Sequence, residues 1–154
     1  MHIQTLEREM TSPVAVREAF AVFENPYNLA RITPPWLNFK ILTTDLRMGL
    51  NAEIDYEFRW LGIPLRWKTR ITEYEPPFHF VDEALKSPYL LWRHHHSFRP
   101  SPEGTVISDR VDYRLRFGVF GRAAHWLIVR RQLNQIFDYR QKAIAEMLRS
   151  AAPR

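Results

Sequence analysis

The stretch Ala52-Glu53-Ile54-Asp55-Tyr56-Glu57-Phe58-Arg59-Trp60 decides the architecture. Ala52, Ile54, Tyr56, Phe58 and Trp60 alternate with Glu53, Asp55, Glu57 and Arg59. A period of two marks a strand with one buried and one solvated face. The next run, 65–74, repeats it with Leu65, Trp67, Thr69 and Ile71 against Arg66, Lys68, Arg70 and Thr72. The short link Leu61-Gly62-Ile63-Pro64 predicts a hairpin. Placing Trp60 opposite Leu65 sets Phe58 against Trp67 and Ile54 against Ile71. Glu57 then meets Lys68 and Asp55 meets Arg70. Opposite charges across the strands favour that register, and the inner face is strongly aromatic.

Working outward, residues 2–9 read as a first strand. Thr11-Ser12-Pro13 reads as a helix start, with Ser12 as cap and Pro13 in the first turn. Val16, Phe20 and Phe23 follow at helical spacing. Asn25-Pro26 breaks that helix, a second short one runs to about Ile32, and Thr33-Pro34-Pro35 ends it. Residues 39–46 form a candidate strand. Beyond the central hairpin, Glu75-Pro76-Pro77, Lys86-Ser87-Pro88 and Pro100–Gly104 punctuate strands at 78–85, 89–99 and 105–116. After Gly121 a long helix reaches about Arg149, with Trp126, Val129, Leu133, Ile136, Phe137, Ile144 and Leu148 as its apolar stripe. Antiparallel hairpins covered on one face by a helix make an α+β architecture. Residues 1–150 are expected to form one domain, with 151–154 as a tail.

Composition narrows the class. Of 154 residues, 45% are hydrophobic and 25% charged, which excludes a disordered or low-complexity chain. No apolar run approaches the roughly 20 residues of a membrane-spanning helix. The first residues lack a basic segment followed by an apolar one, so we expect no secretory signal and a cytoplasmic location. The absence of cysteine excludes disulfides, thiolate catalysis and cysteine-based zinc sites. The net charge of +5 is concentrated at the end, with ten Lys/Arg against three Asp/Glu from Arg110 onward. No helix-turn-helix, RNP-type or zinc-finger pattern accompanies it, so a nucleic-acid partner is not expected. A solvated basic face on the C-terminal helix is the simpler reading. Phosphate-loop, dinucleotide and nucleophile-elbow glycine motifs are also missing.

The order of elements and several short motifs resemble the START/SRPBCC superfamily, in particular its short single-domain bacterial members and polyketide cyclase-like proteins. The residues that carry the resemblance are Phe23-Glu24-Asn25-Pro26-Tyr27-Asn28-Leu29, Ile32-Thr33-Pro34-Pro35-Trp36 and Ile71-Thr72-Glu73-Tyr74-Glu75-Pro76-Pro77. They continue with Phe80-Val81-Asp82-Glu83, Trp92-Arg93-His94-His95-His96-Ser97-Phe98, Gly104-Thr105 and Asp109-Arg110-Val111-Asp112-Tyr113. The resemblance implies a helix-grip fold: a seven-stranded curved antiparallel sheet around the C-terminal helix, two short helices after the first strand, and an internal cavity. It implies ligand binding more than any one reaction.

The 89–99 and 105–116 strands hold the chemistry. Trp92, His94, His96 and Phe98 share one face, and Arg93, His95 and Ser97 the other. Across the Pro100–Gly104 turn, Ile107, Asp109, Val111 and Tyr113 form the inward set, which places Asp109 near His94 or His96. Two imidazoles and a carboxylate inside a sheet are costly unless hydrogen-bonded. Four explanations compete: a structural His–Asp network, a polar contact for a largely apolar ligand, a His–Asp acid–base pair, and a metal held by two histidines and an aspartate. The inner face of 78–85 stays open, because Phe78, Phe80 and Asp82 alternate with His79, Val81 and Glu83.

Tyr56, Phe58 and Trp67, with Trp92, His94, His96, Asp109 and Tyr113, are the candidate ligand-binding residues, and the aromatics can equally be plain core. His94, His96 and Asp109 are the candidate catalytic residues, with no cofactor and no metal expected. The apolar segments Trp60–Pro64 and Phe117–Gly121 read as ordinary loop burial rather than lids or membrane-touching edges. The expected function is binding of an apolar or aromatic small molecule, lipid, polyketide or quinone-like. The alternatives are a cyclase/dehydratase-like enzyme and a lipid or quinone carrier in weak contact with anionic membrane. Oligomeric state is not readable.

Overall fold

The structure is a computed structural model that describes residues 3–115 and 128–151. Seven strands form one antiparallel sheet in the order β1-β7-β6-β5-β4-β3-β2. They are β1 (Gln4–Ser12), β2 (Lys40–Ile41), β3 (Glu53–Trp60), β4 (Ile63–Glu75), β5 (His79–Lys86), β6 (Tyr89–Ser101) and β7 (Gly104–Leu115). Between β1 and β2 lie α1 (Val16–Glu24), α2 (Asn28–Ile32) and a single 3₁₀ turn at Pro35–Leu37, and the chain closes with α3 (Arg130–Ala151). This is the expected helix-grip arrangement. Among the described residues no helix is long and apolar enough to cross a membrane. Trp126, the Phe117–Gly121 segment and the expected start of the long helix lie outside the described residues.

Four local expectations are corrected. Ser12 does not cap a helix. It is the last residue of β1, buried and paired with Thr105 of β7. The ladder takes Ser12 before a cap can form, and Pro13, lacking an N–H, ends the ladder. Helix α1 starts at Val16 instead, where the Glu18 carboxylate accepts the Ala15 N–H at 3.2 Å.

The 39–46 strand shrinks to two residues. Lys40 and Ile41 pair with Glu57 and Tyr56. Two residues on, the Thr43 hydroxyl replaces a backbone carbonyl as acceptor for the Asp55 N–H, at 2.8 Å, so the side chain ends the ladder.

The β3–β4 register is displaced by two residues. Trp60 faces Ile63, Phe58 faces Leu65, Tyr56 faces Trp67 and Ile54 faces Thr69. The reason is the turn. Leu61 and Gly62 have φ of 49° and 80°, the doubly left-handed form of a two-residue hairpin loop, so the strand resumes at Ile63. A slip of two leaves every side chain on its expected face but changes the ion pairs. Lys68 reaches Glu53 at 2.7 Å, and Arg70 joins the same carboxylate. Leu61 and Ile63 are exposed, so the hairpin tip is not buried as expected.

The core divides into two clusters. Phe20 and Phe23 of α1 pack edge-on against Phe98, at 5.3 and 4.9 Å between ring centroids. Phe80, Ile71, Ile107, Ile144 and Leu148 belong to the same cluster. Val111, Tyr113, Val129, Leu133 and Phe137 form the second, nearer the start of α3. His94 and His96 stand at the junction: His96 stacks on Phe80 at 4.2 Å, and His94 meets Phe137 at 5.5 Å.

Candidate functional site

Strand alternation delivers the site. The register β5–β6 sets Asp82 opposite His94, and β6–β7 sets His96 opposite Asp109. The two imidazoles, two positions apart on β6, lie with centroids 3.8 Å apart between a carboxylate on each neighbouring strand. His94 Nε2 is 3.0 Å from Asp109 Oδ1, and His96 Nε2 is 3.1 Å from Asp82 Oδ2. His96 Nδ1 lies 2.8 Å from Asp109 Oδ1, a charge contact off the hydrogen-bond direction. The Thr69 hydroxyl donates to Asp82 Oδ1 at 3.1 Å. His94 and His96 are both almost fully buried.

Burial splits the pair electrically. It pushes His94 down to about 4, helped by its neighbour His96 and opposed by Asp109 and Asp82. Its ring is therefore neutral at pH 7. Burial acts on His96 in the same direction, but Asp109 and Asp82 outweigh it and the net shift is upward. Both carboxylates feel burial as an upward push, which the imidazoles overcome. Asp82 ends lowered, with Thr69 adding to the effect, and Asp109 ends well below the usual carboxylate range. With both carboxylates ionised and His94 neutral at pH 7, the cluster carries net negative charge. The neutral His94 donates from Nε2 to Asp109, which leaves Nδ1 with its lone pair.

A cavity of about 430 Å³ lies between the sheet and α3. Of the residues expected at a ligand site, Tyr56, Phe58, Trp67, Trp92, His94 and His96 line it. Two do not. Asp109 stands behind the imidazoles it holds, and Tyr113 is 3% exposed in the second core cluster, edge-on to Tyr89. His95 points away with Arg93 and Ser97, toward the outer face of the sheet. On β5, Phe80 and Asp82 turn inward, which resolves the open question of that strand.

Sequence reasoning left Asp82 undecided and missed Thr69 and Arg140. Asp82 needed the register, since a bulge between Ile71 and Glu73 disturbs alternation beside it. Arg140 carried a readable signal: it interrupts the stripe Leu133, Phe137, Ile144, Leu148 at helical spacing. It also lines the cavity.

Donor atoms of Asp82, His94 and His96 lie within 4.8 Å of one another, a nitrogen and oxygen set of the kind that takes zinc. Here His96 Nε2 is hydrogen-bonded to Asp82, and His94 Nε2 to Asp109. The cluster can therefore hold a proton between two unlike imidazoles, or present an imidazole nitrogen to a polar group in the cavity.

Residues 12–137 match the polyketide cyclase / dehydrase and lipid transport family. The chain belongs to that family. No curated protein matches it. Solved structures share its fold. The protein TTHA0849 of Thermus thermophilus is 16% identical with a TM-score of 0.75, covering 99% of this chain and all of that one. Norcoclaurine synthase of Thalictrum flavum, determined as a point mutant with a transition-state analogue, is 13% identical with a TM-score of 0.71, covering 97% and 96%. A nucleoside-diphosphate sugar epimerase of Corynebacterium glutamicum is 25% identical with a TM-score of 0.69, covering 94% of this chain but 29% of the larger protein.

Proposed function

We propose that this member of the family binds one apolar or aromatic small molecule in the cavity between the sheet and α3. One observation carries the reading. The cavity, at about 430 Å³, falls in the size range of small-molecule sites, and its walls are aromatic with a few convergent polar groups. Tyr56 and Trp67 offer near-parallel rings 6.0 Å apart. Trp92 meets Trp67 edge-on at 5.1 Å. His94 and His96 supply the polar contact, and Asp109 acts through them as a positioning residue. The family's lipid-transport description supports the same reading.

Native mass spectrometry of the gently purified protein, with identification of what denaturation releases, tests it. An apolar molecule near one per chain is the expected result. A bare chain that also gives no saturable quenching of tryptophan fluorescence with apolar aromatic probes would overturn it.

A second reading has its own observation. Two imidazoles with centroids 3.8 Å apart, pushed in opposite directions by their surroundings, make an acid–base pair. On a cavity wall they could serve a cyclase- or dehydratase-like proton transfer. In that case His94→Ala abolishes turnover and leaves binding intact. Loss of both together refutes a purely catalytic role.

A further inference from the structure

The cavity contains donors that lack acceptors. Arg140 is the one Lys or Arg among its described lining residues, and Asp82 the one Asp or Glu. Asp82 is satisfied by His96 and Thr69. Arg140 is not satisfied: it forms no ion pair with a described carboxylate, and its Nε is shielded from solvent with no acceptor. Its guanidinium carbon sits 6.0 Å from the Phe23 ring centroid, within cation–π range. A second, independent orphan lies on the opposite wall. Trp67 is 4% exposed, and its Nε1 has no acceptor. By contrast the Trp60 indole donates to Gln132. Tyr56 stands beside Trp67. Burial pushes its phenol well up, Asp82 adds to that, and the charge of Arg140 opposes both. The phenol is therefore a neutral group within reach of the Arg140 field.

A buried indole without an acceptor and a guanidinium without a counter-charge both cost free energy. The deficit at Arg140 has a direct chemical remedy, an acceptor-rich anion. A guanidinium matches a carboxylate or phosphate through two parallel hydrogen bonds. The remaining lining is dominated by aromatic and aliphatic side chains, among them Phe39, Phe58, Leu133 and Phe137, and asks for an apolar body.

We propose that Arg140 is the anchor for an anionic head group, and that the ligand of this cavity is a carboxylate or phosphate on an apolar tail or ring system. The proposal rests on the cavity-binding reading and narrows it. The charged head group binds at Arg140 on α3.

Three probes share one chain and differ in the head: dodecanoate, dodecyl phosphate and dodecan-1-ol. Binding to the full chain is measured by calorimetry. At least one anion should bind about tenfold or more tighter than the alcohol, and the better of the two separates carboxylate from phosphate. In Arg140→Met the preference should collapse to within about twofold while alcohol affinity is unchanged. Arg140→Lys should retain part of the preference, since it keeps the charge and loses the fork. Near-ultraviolet circular dichroism checks the fold of each variant. If Arg140→Met does not fold, the wild-type comparison and Arg140→Lys decide. Equal affinity for all three probes overturns the anchor alone. A preference for anions that survives Arg140→Met does so too. Failure of all three to bind overturns the cavity-binding reading and the anchor with it.

Discussion

Asp109→Asn is the substitution whose outcome the site defines most sharply. The side chain is 11% exposed, and one oxygen approaches His94 Nε2 at 3.0 Å and His96 Nδ1 at 2.8 Å. The amide keeps the shape and one acceptor but removes a negative charge that raises His96. Breaking a buried charge pair from one side costs about 3–5 kcal/mol. Because the acceptor survives, we expect the lower end, about 3 kcal/mol. For a chain of this size that lowers the midpoint of thermal unfolding by roughly 6–12 °C. Urea unfolding at pH 7 measures the free energy, and imidazole nitrogen NMR follows both rings. His96 should titrate at a lower pH than in the wild type, because the carboxylate that raised it is gone. Asp112→Asn on the outer face is the control and should cost less than about 1 kcal/mol. A loss below about 1 kcal/mol for Asp109→Asn, with the His96 titration unmoved, would refute the charge assignment of the cluster.

The remaining predictions test other parts of the molecule. Stability should fall as pH drops from 6.5 to about 4, because the unfolded chain binds a proton that buried His94 refuses; the full window is worth about 3 kcal/mol. His94→Gln should flatten that slope in urea titrations, and an unchanged slope would contradict a neutral His94. The stabilisation from His96 has the opposite sign: it is complete below its unfolded value of 6.5 and is lost as pH rises through its raised folded value. Trp92→Ala should weaken dodecanoate binding by about tenfold or more, whereas Tyr113→Phe, outside the cavity wall, should leave it unchanged by calorimetry. Gly104→Ala should destabilise by about 3 kcal/mol or more, since its Cβ would lie 2.2 Å from the Ser12 carbonyl oxygen at a φ of +126°; an undisturbed urea midpoint would refute the close approach. Leu61→Asn should raise stability by about 0.5–1 kcal/mol, because asparagine tolerates the left-handed φ that leucine resists, and a lower urea midpoint would count against the turn assignment.

The elements and their faces were legible because alternation is a local property. The runs 52–60, 65–74, 89–99 and 105–116 each declare a buried side without reference to anything distant. The same rule set His94, His96 and Asp109 on one surface. Local propensity misled at Ser12, where a good capping residue was drawn into the β1–β7 ladder by Thr105, 93 positions along the chain by residue number. It also misled at the central hairpin. The charge pattern fitted a register two residues away, because Glu53, Asp55 and Glu57 repeat acid at every second position and Arg66, Lys68 and Arg70 repeat base. Only the two positive φ angles at Leu61 and Gly62 separate the registers.

What this sequence determined by itself was the set of strands, the inward face of each, and the nearness of two imidazoles to a carboxylate. What only the tertiary structure decided was the content of the cavity. Asp82 enters through a bulged strand, Asp109 and Tyr113 retire behind the wall, and Arg140 enters from α3. Alternation specifies a direction from the backbone. Which groups then meet depends on register, bulges and the seat of a helix on the sheet, and those follow from packing among residues far apart in the chain. The charges divide in the same way. His94 and His96 are the same residue two positions apart, and only their folded surroundings push one down and the other up.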